Sequence, residues 1–209
     1  MERVDMLFLG QPNNPNGVQY PVETLHRLAR KAEITGTILV VDEAFMDFIP
    51  ESQRQSLAPR LKEYPQVIII RSMTKFYAIP GLRLGYALGR PELIHAMTEK
   101  QVTWSVNGLA LIAGEACLQS GENFEQETMA LVSYERERLT TGLEALGCER
   151  GILIRSCAMY LGLGERHVRF AVKDAEANGR LLETMENVME PDTTTGLKAG
   201  GQNDGTAIL

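Results

Sequence analysis

Short apolar runs separated by polar loops dominate the first half of this chain. Four such runs predict β-strands, and they cover residues 4–9, 37–41, 67–70 and 84–88. The second and third are continuous rows of apolar and β-branched side chains, which is the pattern of strands buried on both faces. No hairpin signal joins any two of the runs. The pattern therefore predicts a largely parallel sheet, in which ligands bind at the carboxyl ends of the strands.

Helical patterns lie between and after the predicted strands. A helix is expected from Pro21 to Ile34, where apolar residues recur at helical spacing and Gly36 follows as a stop signal. A second helical region runs over residues 91–146, is interrupted at 103–108, and includes a long charged helix over 123–146. Strands that alternate with helices predict an α/β fold with helices flanking a mostly parallel sheet.

The C-terminal part of the chain has a different pattern. Two short strands are expected at residues 151–155 and 166–172, and a closing helix at 175–189. This combination predicts a small α+β domain. Residues 190–209 are polar and rich in glycine, with no apolar period, so they are expected to be a disordered tail.

Composition and charge argue against several classes of protein. The 209 residues carry a net charge of −6 without a basic cluster, which argues against a nucleic-acid partner. The apolar runs are too short to cross a bilayer, and the N-terminus lacks an apolar signal core, so a cytoplasmic location is expected. The three cysteines and three histidines are scattered singly, so no metal site is expected.

Polar residues with catalytic or ligand-binding chemistry follow the predicted strands. Asn14 follows the first strand, Asp42 the second, and Ser72 and Lys75 the third, with Arg83 eight residues beyond the lysine. A lysine amine can form a Schiff base with an aldehyde cofactor. A carboxylate can keep a pyridine nitrogen protonated, and a guanidinium can bind a phosphate. The set therefore suits pyridoxal 5'-phosphate (PLP).

Each of these residues has an ordinary alternative role when it is taken singly. Asp42 or Asn14 could belong to a turn, Lys75 could be a solvated side chain, and Arg83 could be a surface ion-pair partner. The spacing of Ser72 and Lys75 also fits the Ser-x-x-Lys of penicillin-binding proteins and class A β-lactamases. Their Ser-Asp-Asn and Lys-Thr-Gly sequences do not occur here. The joint placement at one sheet edge is what favours a cofactor site.

Three consecutive motifs carry a resemblance to a known family. They are Asn13-Asn14-Pro15-Asn16-Gly17, Val41-Asp42-Glu43-Ala44-Phe45, and Ser72-Met73-Thr74-Lys75 followed by Gly81-Leu82-Arg83-Leu84-Gly85. Their order and spacing resemble those of fold-type I PLP enzymes, the aspartate aminotransferase superfamily. Within it, residues 42–50, 74–86 and 150–157 are most similar to the threonine-phosphate decarboxylases of cobalamin biosynthesis, which are relatives of histidinol-phosphate aminotransferases.

The resemblance implies a role toward PLP for each matching residue. Lys75 would form the Schiff base and move protons, and Asp42 would pair with the ring nitrogen. Asn14 would donate a hydrogen bond to the 3-oxygen of the cofactor. Ser72 and Arg83 would hold the phosphate.

The resemblance also implies a small phosphorylated amino-acid substrate. Arg169 matches the arginine that receives the substrate carboxylate, and Arg155 matches a second arginine that helps to hold the substrate phosphate. Asn14 is expected to contact the substrate as well as the cofactor. Phe45 stands where many relatives have tyrosine, so the resemblance implies one hydrogen bond fewer to the 3-oxygen.

The family's fold implies a division into domains. Residues 1–110 would form part of the PLP-binding large domain, 111–189 a shortened C-terminal small domain, and 190–209 the tail. The family's N-terminal arm, its phosphate-binding glycine turn and the aromatic residue that stacks on the cofactor have no counterpart here. We therefore expect a truncated member with weak activity on its own, and a homodimer in its full-length parent.

The reaction implied by the resemblance is the PLP-dependent decarboxylation of L-threonine O-3-phosphate to aminopropanol phosphate. Two alternatives stay open. One is an aminotransferase that acts on histidinol phosphate or a similar amine, and the other is a non-catalytic remnant of the fold. The motifs are shared by decarboxylases and aminotransferases, so they do not choose between the two reactions.

Overall fold

A computed structural model describes residues 4–146 and 171–189 of the chain. Within these ranges the strands are β1 (Met6–Gly10), β2 (Ile38–Asp42), β3 (Val67–Ser72) and β4 (Gly85–Leu88). The α-helices are α1 (Val22–Thr35), α2 (Pro91–Lys100), α3 (Gly108–Gln119), α4 (Gly121–Ala145) and α5 (Ala175–Met189). Short 3₁₀ turns occupy Met46–Phe48, Glu51–Gln53, Ala58–Glu63 and Pro80–Leu82.

The elements predicted for the sheet and its flanking helices are confirmed. The interruption expected at 103–108 separates α2 from α3, and α5 covers the residues predicted for the closing helix. The predicted strand at 151–155, all but the last two residues of the one at 166–172, and the tail at 190–209 lie outside the described residues. None of the helices in the described ranges is long and apolar enough to span a membrane.

The four strands form one sheet in the order β1-β2-β3-β4. The first three strands are parallel, which confirms the predicted, mostly parallel sheet. Strand β4 runs antiparallel to β3, with Ser72 paired to Gly85. The segment between β3 and β4 turns back at the edge where β3 ends, instead of crossing the sheet. The start of β4 therefore lies at the same edge as the carboxyl ends of β1, β2 and β3.

Helix α1 supplies much of the core beneath the sheet. Pro21 precedes its first turn in an extended conformation, and Gly36 ends it in the left-handed region at φ 70°, where glycine has no steric cost. The fully or nearly fully buried residues of this core come from α1, β2, β3 and the segment between the two strands: Leu25, Ala29, Ala32, Leu39, Val41, Leu57, Tyr64, Val67 and Ile69. Each large apolar side chain buried in this way stabilises the fold by about 1.5–3 kcal/mol.

The chain divides into two compact units, Met1–Met129 and Ala130–Leu209. In the second unit, Leu139 and Leu143 of α4 are buried against apolar side chains of α5. Glu135 is also buried, and its carboxylate accepts hydrogen bonds from Arg138 and from the Asn178 amide at 2.8 Å. The predicted domain boundary at residue 110 stays a prediction.

Candidate functional site

The carboxyl ends of β1, β2 and β3, together with the start of β4, form one edge of the sheet, which we call the site edge. Asp42 is the last residue of β2 and pairs with Gly10 of β1 and Ile70 of β3. Ser72 ends β3 beside Gly85. Neighbouring strands of a sheet are about 4.8 Å apart. The strand ends that carry Asp42 and Ser72 are therefore neighbours, as the sequence predicted.

Asp42 presents its carboxylate at the surface of the site edge. Its Oδ1 accepts a hydrogen bond from the Ala44 backbone N–H at 3.0 Å. Its backbone carbonyl accepts one from the Gln11 N–H at 2.8 Å, which ties the loop after β1 to the end of β2. An exposed carboxylate held in one orientation can accept a hydrogen bond from a cationic ring N–H.

Lys75 lies in the loop that follows β3, and its side chain is exposed. Its Nζ stands 4.7 Å from the centre of the Phe45 ring. A cation over an aromatic ring at an exposed position is stabilised by about 0.5–1 kcal/mol, which is enough to favour one arrangement of the lysine. The aromatic residue three positions after Asp42 thus orients the amine near the end of β2.

Two hydroxyl groups lie side by side at the end of β3. The Oγ atoms of Ser72 and Thr74 are 2.9 Å apart, and Thr74 is buried while its backbone N–H approaches the Ser72 oxygen at 3.4 Å. Ser72 was predicted from the sequence as a phosphate ligand, whereas Thr74 was not. The signal that could have found it is a second hydroxyl residue directly before the lysine.

Arg83 ends the turn Pro80–Leu82 in a left-handed conformation, with φ 54° and ψ 50°. This conformation costs a non-glycine residue about 1–2 kcal/mol, and such costs occur often at functional sites. The guanidinium is exposed. Gly85 follows two residues later, where an added Cβ would stand 2.6 Å from the Arg71 carbonyl oxygen. The close approach of β4 to β3 therefore brings Arg83 to the end of β3 that carries Ser72.

The loop that carries Asn14 is anchored by Gln11, which is fully buried. The Gln11 amide nitrogen donates to the carbonyl oxygens of Tyr20 at 3.0 Å and Gln55 at 2.7 Å. Its amide oxygen accepts from the Tyr20 N–H at 2.9 Å. Asn14 itself is exposed on this anchored loop at the end of β1. The structural role of Gln11 was not predicted from the sequence.

A buried ion-pair network lies directly behind Asp42 and Ser72. The Arg71 guanidinium contacts Glu43 Oε2 and Asp47 Oδ1, each at 2.7 Å. Ser56 donates a hydrogen bond to Glu43 Oε1, also at 2.7 Å. Burial raises the pKa of Glu43, against the opposing effects of Ser56 and Arg71. We call Glu43, Asp47, Ser56 and Arg71 the Arg71 network, and sequence reasoning had assigned none of them a role.

Aromatic side chains pack next to the loop that follows β3 and carries Lys75, which we call the lysine loop. Tyr77 stacks on Phe124 with 5.7 Å between ring centres, and its hydroxyl donates to Glu125 Oε1 at 3.4 Å. Burial, with the Glu125 charge nearby, raises the pKa of Tyr77 to about 12. Tyr77 is therefore a neutral phenol near neutral pH and does not serve as a base for chemistry at Lys75.

The model of the aminotransferase class I and II family matches residues 1–191 of the chain. The chain belongs to this family. A similar curated relative is the threonine-phosphate decarboxylase of Salmonella typhimurium, which is 38% identical over 214 residues. That match covers 89% of this chain and 58% of the relative.

Solved structures of class I and II aminotransferases have the same fold. The crystal structure of histidinol-phosphate aminotransferase from Clostridium acetobutylicum matches with a TM-score of 0.76 and 28% identity, over 89% of this chain and 64% of that one. Histidinol-phosphate aminotransferase from Sinorhizobium meliloti, solved in complex with PLP, matches with a TM-score of 0.62 and 26% identity, over 70% and 39%. The chain thus spans less than two thirds of the length of these proteins.

Membership of the class I and II aminotransferases confirms the family and the fold class that the motifs indicated. The roles of Asn14, Asp42, Ser72, Lys75 and Arg83 stay predictions, and the structure places all five at or beside the site edge. The two predicted substrate ligands, Arg155 and Arg169, lie outside the described residues.

Proposed function

We propose that the site edge binds PLP, with Lys75 as the Schiff-base lysine, and that the chain forms part of an enzyme that decarboxylates L-threonine O-3-phosphate. The observation that carries the proposal is the arrival of an amine, a carboxylate, hydroxyl groups and a guanidinium at one edge of a mostly parallel sheet. The product would be aminopropanol phosphate, which links the reaction to cobalamin biosynthesis.

The residues present fit the chemical groups of PLP. When bound, PLP forms a Schiff base with an amine, and its protonated ring accepts the electron pair of a bond broken at the substrate Cα. Asp42 offers a carboxylate that is already oriented by the Ala44 N–H. The paired hydroxyls of Ser72 and Thr74 and the exposed Arg83 offer donors for a phosphate.

Lys75 and Asp42 have separate tasks in this proposal. The Lys75 side chain, which lies over the Phe45 ring, would donate the proton that the substrate Cα takes up after carbon dioxide leaves. The Asp42 carboxylate would keep the ring nitrogen protonated, because an opposite charge close to the ring N–H favours its charged form. Asn14 would donate a hydrogen bond to the 3-oxygen from the loop that Gln11 anchors.

The choice of a phosphorylated amino acid rests on two kinds of support. The relative at 38% identity is a threonine-phosphate decarboxylase. Arg155 and Arg169 supply two cations for a substrate with a carboxylate and a phosphate, in addition to Arg83 for the cofactor. The proposed reaction breaks the bond between Cα and the carboxylate, releases carbon dioxide and adds a proton at Cα. The active form is proposed to be a homodimer of the full-length parent.

A histidinol-phosphate aminotransferase is the second candidate, since a structure of that enzyme matches 89% of the chain. The two reactions are distinguished by supplying L-threonine O-3-phosphate to the full-length parent and measuring the release of carbon dioxide and aminopropanol phosphate. Decarboxylation gives both products without a keto acid. Conversion of histidinol phosphate that depends on 2-oxoglutarate, with no carbon dioxide from threonine phosphate, would support the aminotransferase instead. No reaction with either substrate, in a protein that also fails to bind PLP, would identify a non-catalytic remnant.

A further inference from the structure

The Arg71 network joins three segments that surround the site edge. Arg71 lies on β3, Glu43 directly follows β2, and Asp47 belongs to the turn Met46–Phe48. The Arg71 and Glu43 side chains are 11% and 0% exposed, whereas that of Asp47 is 24% exposed. Ser56 adds a third contact to the network, a hydrogen bond to Glu43 from the segment before β3. The guanidinium therefore fixes the positions of two carboxylates that come from different parts of the loop after β2.

The members of the network are the immediate neighbours of the proposed cofactor ligands. Glu43 follows Asp42, and its backbone N–H donates to the Ile70 carbonyl at 2.8 Å. Arg71 precedes Ser72 in the strand. Successive side chains of a strand point to opposite faces of the sheet. The network therefore holds the strand ends from one face, while Asp42 and Ser72 present their side chains on the opposite face.

Two contacts of aromatic rings also connect the loop after β2 to the loop that carries Lys75. Phe45 supports the Lys75 amine at 4.7 Å, and the rings of Phe48 and Phe76 meet edge to face with 5.3 Å between centres. The segment 45–48, which contains Asp47, therefore contacts β3 and its following loop at three points. A shift of Asp47 would move the aromatic support of Lys75 as well.

We propose that Glu43, Arg71 and Asp47 are positioning residues whose ion pairs set the location of Asp42 relative to Lys75 at the site edge. This inference rests on the proposed function, because it assigns the network a task in PLP binding. Burying such a trio of charges is not an efficient source of stability, since well-packed apolar side chains often stabilise a core as much or more. What the trio provides is a fixed geometry, because the two terminal guanidinium nitrogens contact different carboxylates: Nη2 lies 2.7 Å from Glu43 Oε2, and Nη1 donates to Asp47 Oδ1 at 2.7 Å.

The test uses the whole chain and measures its dissociation constant for PLP together with the absorbance spectrum of the PLP complex. The variants are Glu43→Gln, which keeps the size of the side chain, and Arg71→Met, with Arg71→Lys as a conservative replacement. Each is also combined with Asp42→Asn. The matched control is Arg60→Met, which breaks an exposed ion pair to Glu63 away from the site edge. Circular dichroism and thermal unfolding identify any variant that fails to fold.

Positioning predicts that the effects on PLP binding are coupled. Glu43→Gln and Arg71→Met should each raise the dissociation constant for PLP at least about fivefold and shift the absorbance maximum of the complex. In a protein that already carries Asp42→Asn, the same substitutions should change the dissociation constant by less than about twofold. Arg71→Lys should recover part of the affinity, and Arg60→Met should leave it unchanged. If Arg71→Met does not fold, the PLP affinity of the isosteric Glu43→Gln variant tests the inference.

Two results would overturn the inference while leaving the proposed function intact. One is a wild-type chain that binds PLP through Lys75, with folded network variants that bind it equally well. The other is a loss of affinity that is the same with Asp42 and with Asn at that position, which is the behaviour of a merely structural network. A wild-type chain that binds no PLP would instead refute the proposed function, and the inference with it.

Discussion

Replacing Arg71 by methionine should destabilise the protein, and the loss should grow with pH. The change leaves the Glu43 carboxylate, which is fully buried, without the cation at 2.7 Å. Breaking a buried ion pair on one side costs about 3–5 kcal/mol. For a chain of this length, about 1 kcal/mol corresponds to roughly 2–4 °C in the melting temperature. The expected drop near pH 7 is therefore roughly 6–20 °C.

The pH dependence follows from the direction of the Glu43 pKa. Burial already raises that pKa, and losing Arg71 removes an influence that lowers it, so the pKa rises further in the variant. A carboxyl group with a raised folded-state pKa contributes stability below its unfolded pKa of 4.5, and that contribution is lost as the pH rises through the folded-state value. Over the pH range in which Glu43 is protonated in folded Arg71→Met but ionised in the folded wild type, the difference between their free energies of unfolding should grow by up to about 1.4 kcal/mol per pH unit.

Thermal and denaturant unfolding of both proteins at several pH values above 4.5 measures this difference. Arg60→Met is the matched control, because it removes an arginine from an exposed ion pair of similar length. If Arg71→Met proves no less stable than Arg60→Met, the ion pair of Arg71 with Glu43 does not stabilise the fold. A large loss of stability that does not depend on pH would show that Glu43 is not the group left unpaired.

Three further predictions concern single side chains. Asp42→Asn should weaken PLP binding measured by absorbance titration, whereas the exposed Glu51→Gln should not; equal affinities would remove Asp42 from the site. Gly85→Ala should lower stability by about 1–3 kcal/mol in denaturant unfolding, because its Cβ would stand 2.6 Å from a backbone oxygen, whereas Gly81→Ala has open space. The Asn178 hydrogen bond lowers the pKa of Glu135, so its stabilisation is lost as the pH falls below 4.5 through the lowered value. Glu135→Gln should therefore flatten the acid limb of the stability curve, and an unchanged limb would contradict this.

The sheet and the line of site residues along its edge could be predicted from the sequence. Apolar runs mark strands, and in a parallel sheet the residues that follow each run must meet at one edge. The direction of β4 could not be predicted, because the apolar pattern of residues 84–88 does not indicate whether the strand runs parallel or antiparallel to its neighbour. The turn at Pro80–Leu82 is what reverses the chain there. Arg83 thus precedes β4, yet it reaches the edge where Asp42 ends β2 and Ser72 ends β3.

The support behind the site could not be predicted. Glu43 and Arg71 are charged residues far apart in the sequence, and such residues are usually solvated. Only the register of β2 against β3 brings them within 2.7 Å of each other. Gln11 was missed for a similar reason, because a polar residue in a turn-forming segment gives no sign that Tyr20 and Gln55 will enclose its amide.

Lys75 is proposed as the residue that links PLP to this chain. Borohydride reduction of the PLP-treated protein, followed by peptide mass spectrometry, tests this assignment. We expect a pyridoxyl group fixed on the peptide that contains Lys75, and no such label in Lys75→Ala. A label on Lys62 or Lys100 instead, or a label that persists in Lys75→Ala, would show that Lys75 is not the Schiff-base lysine.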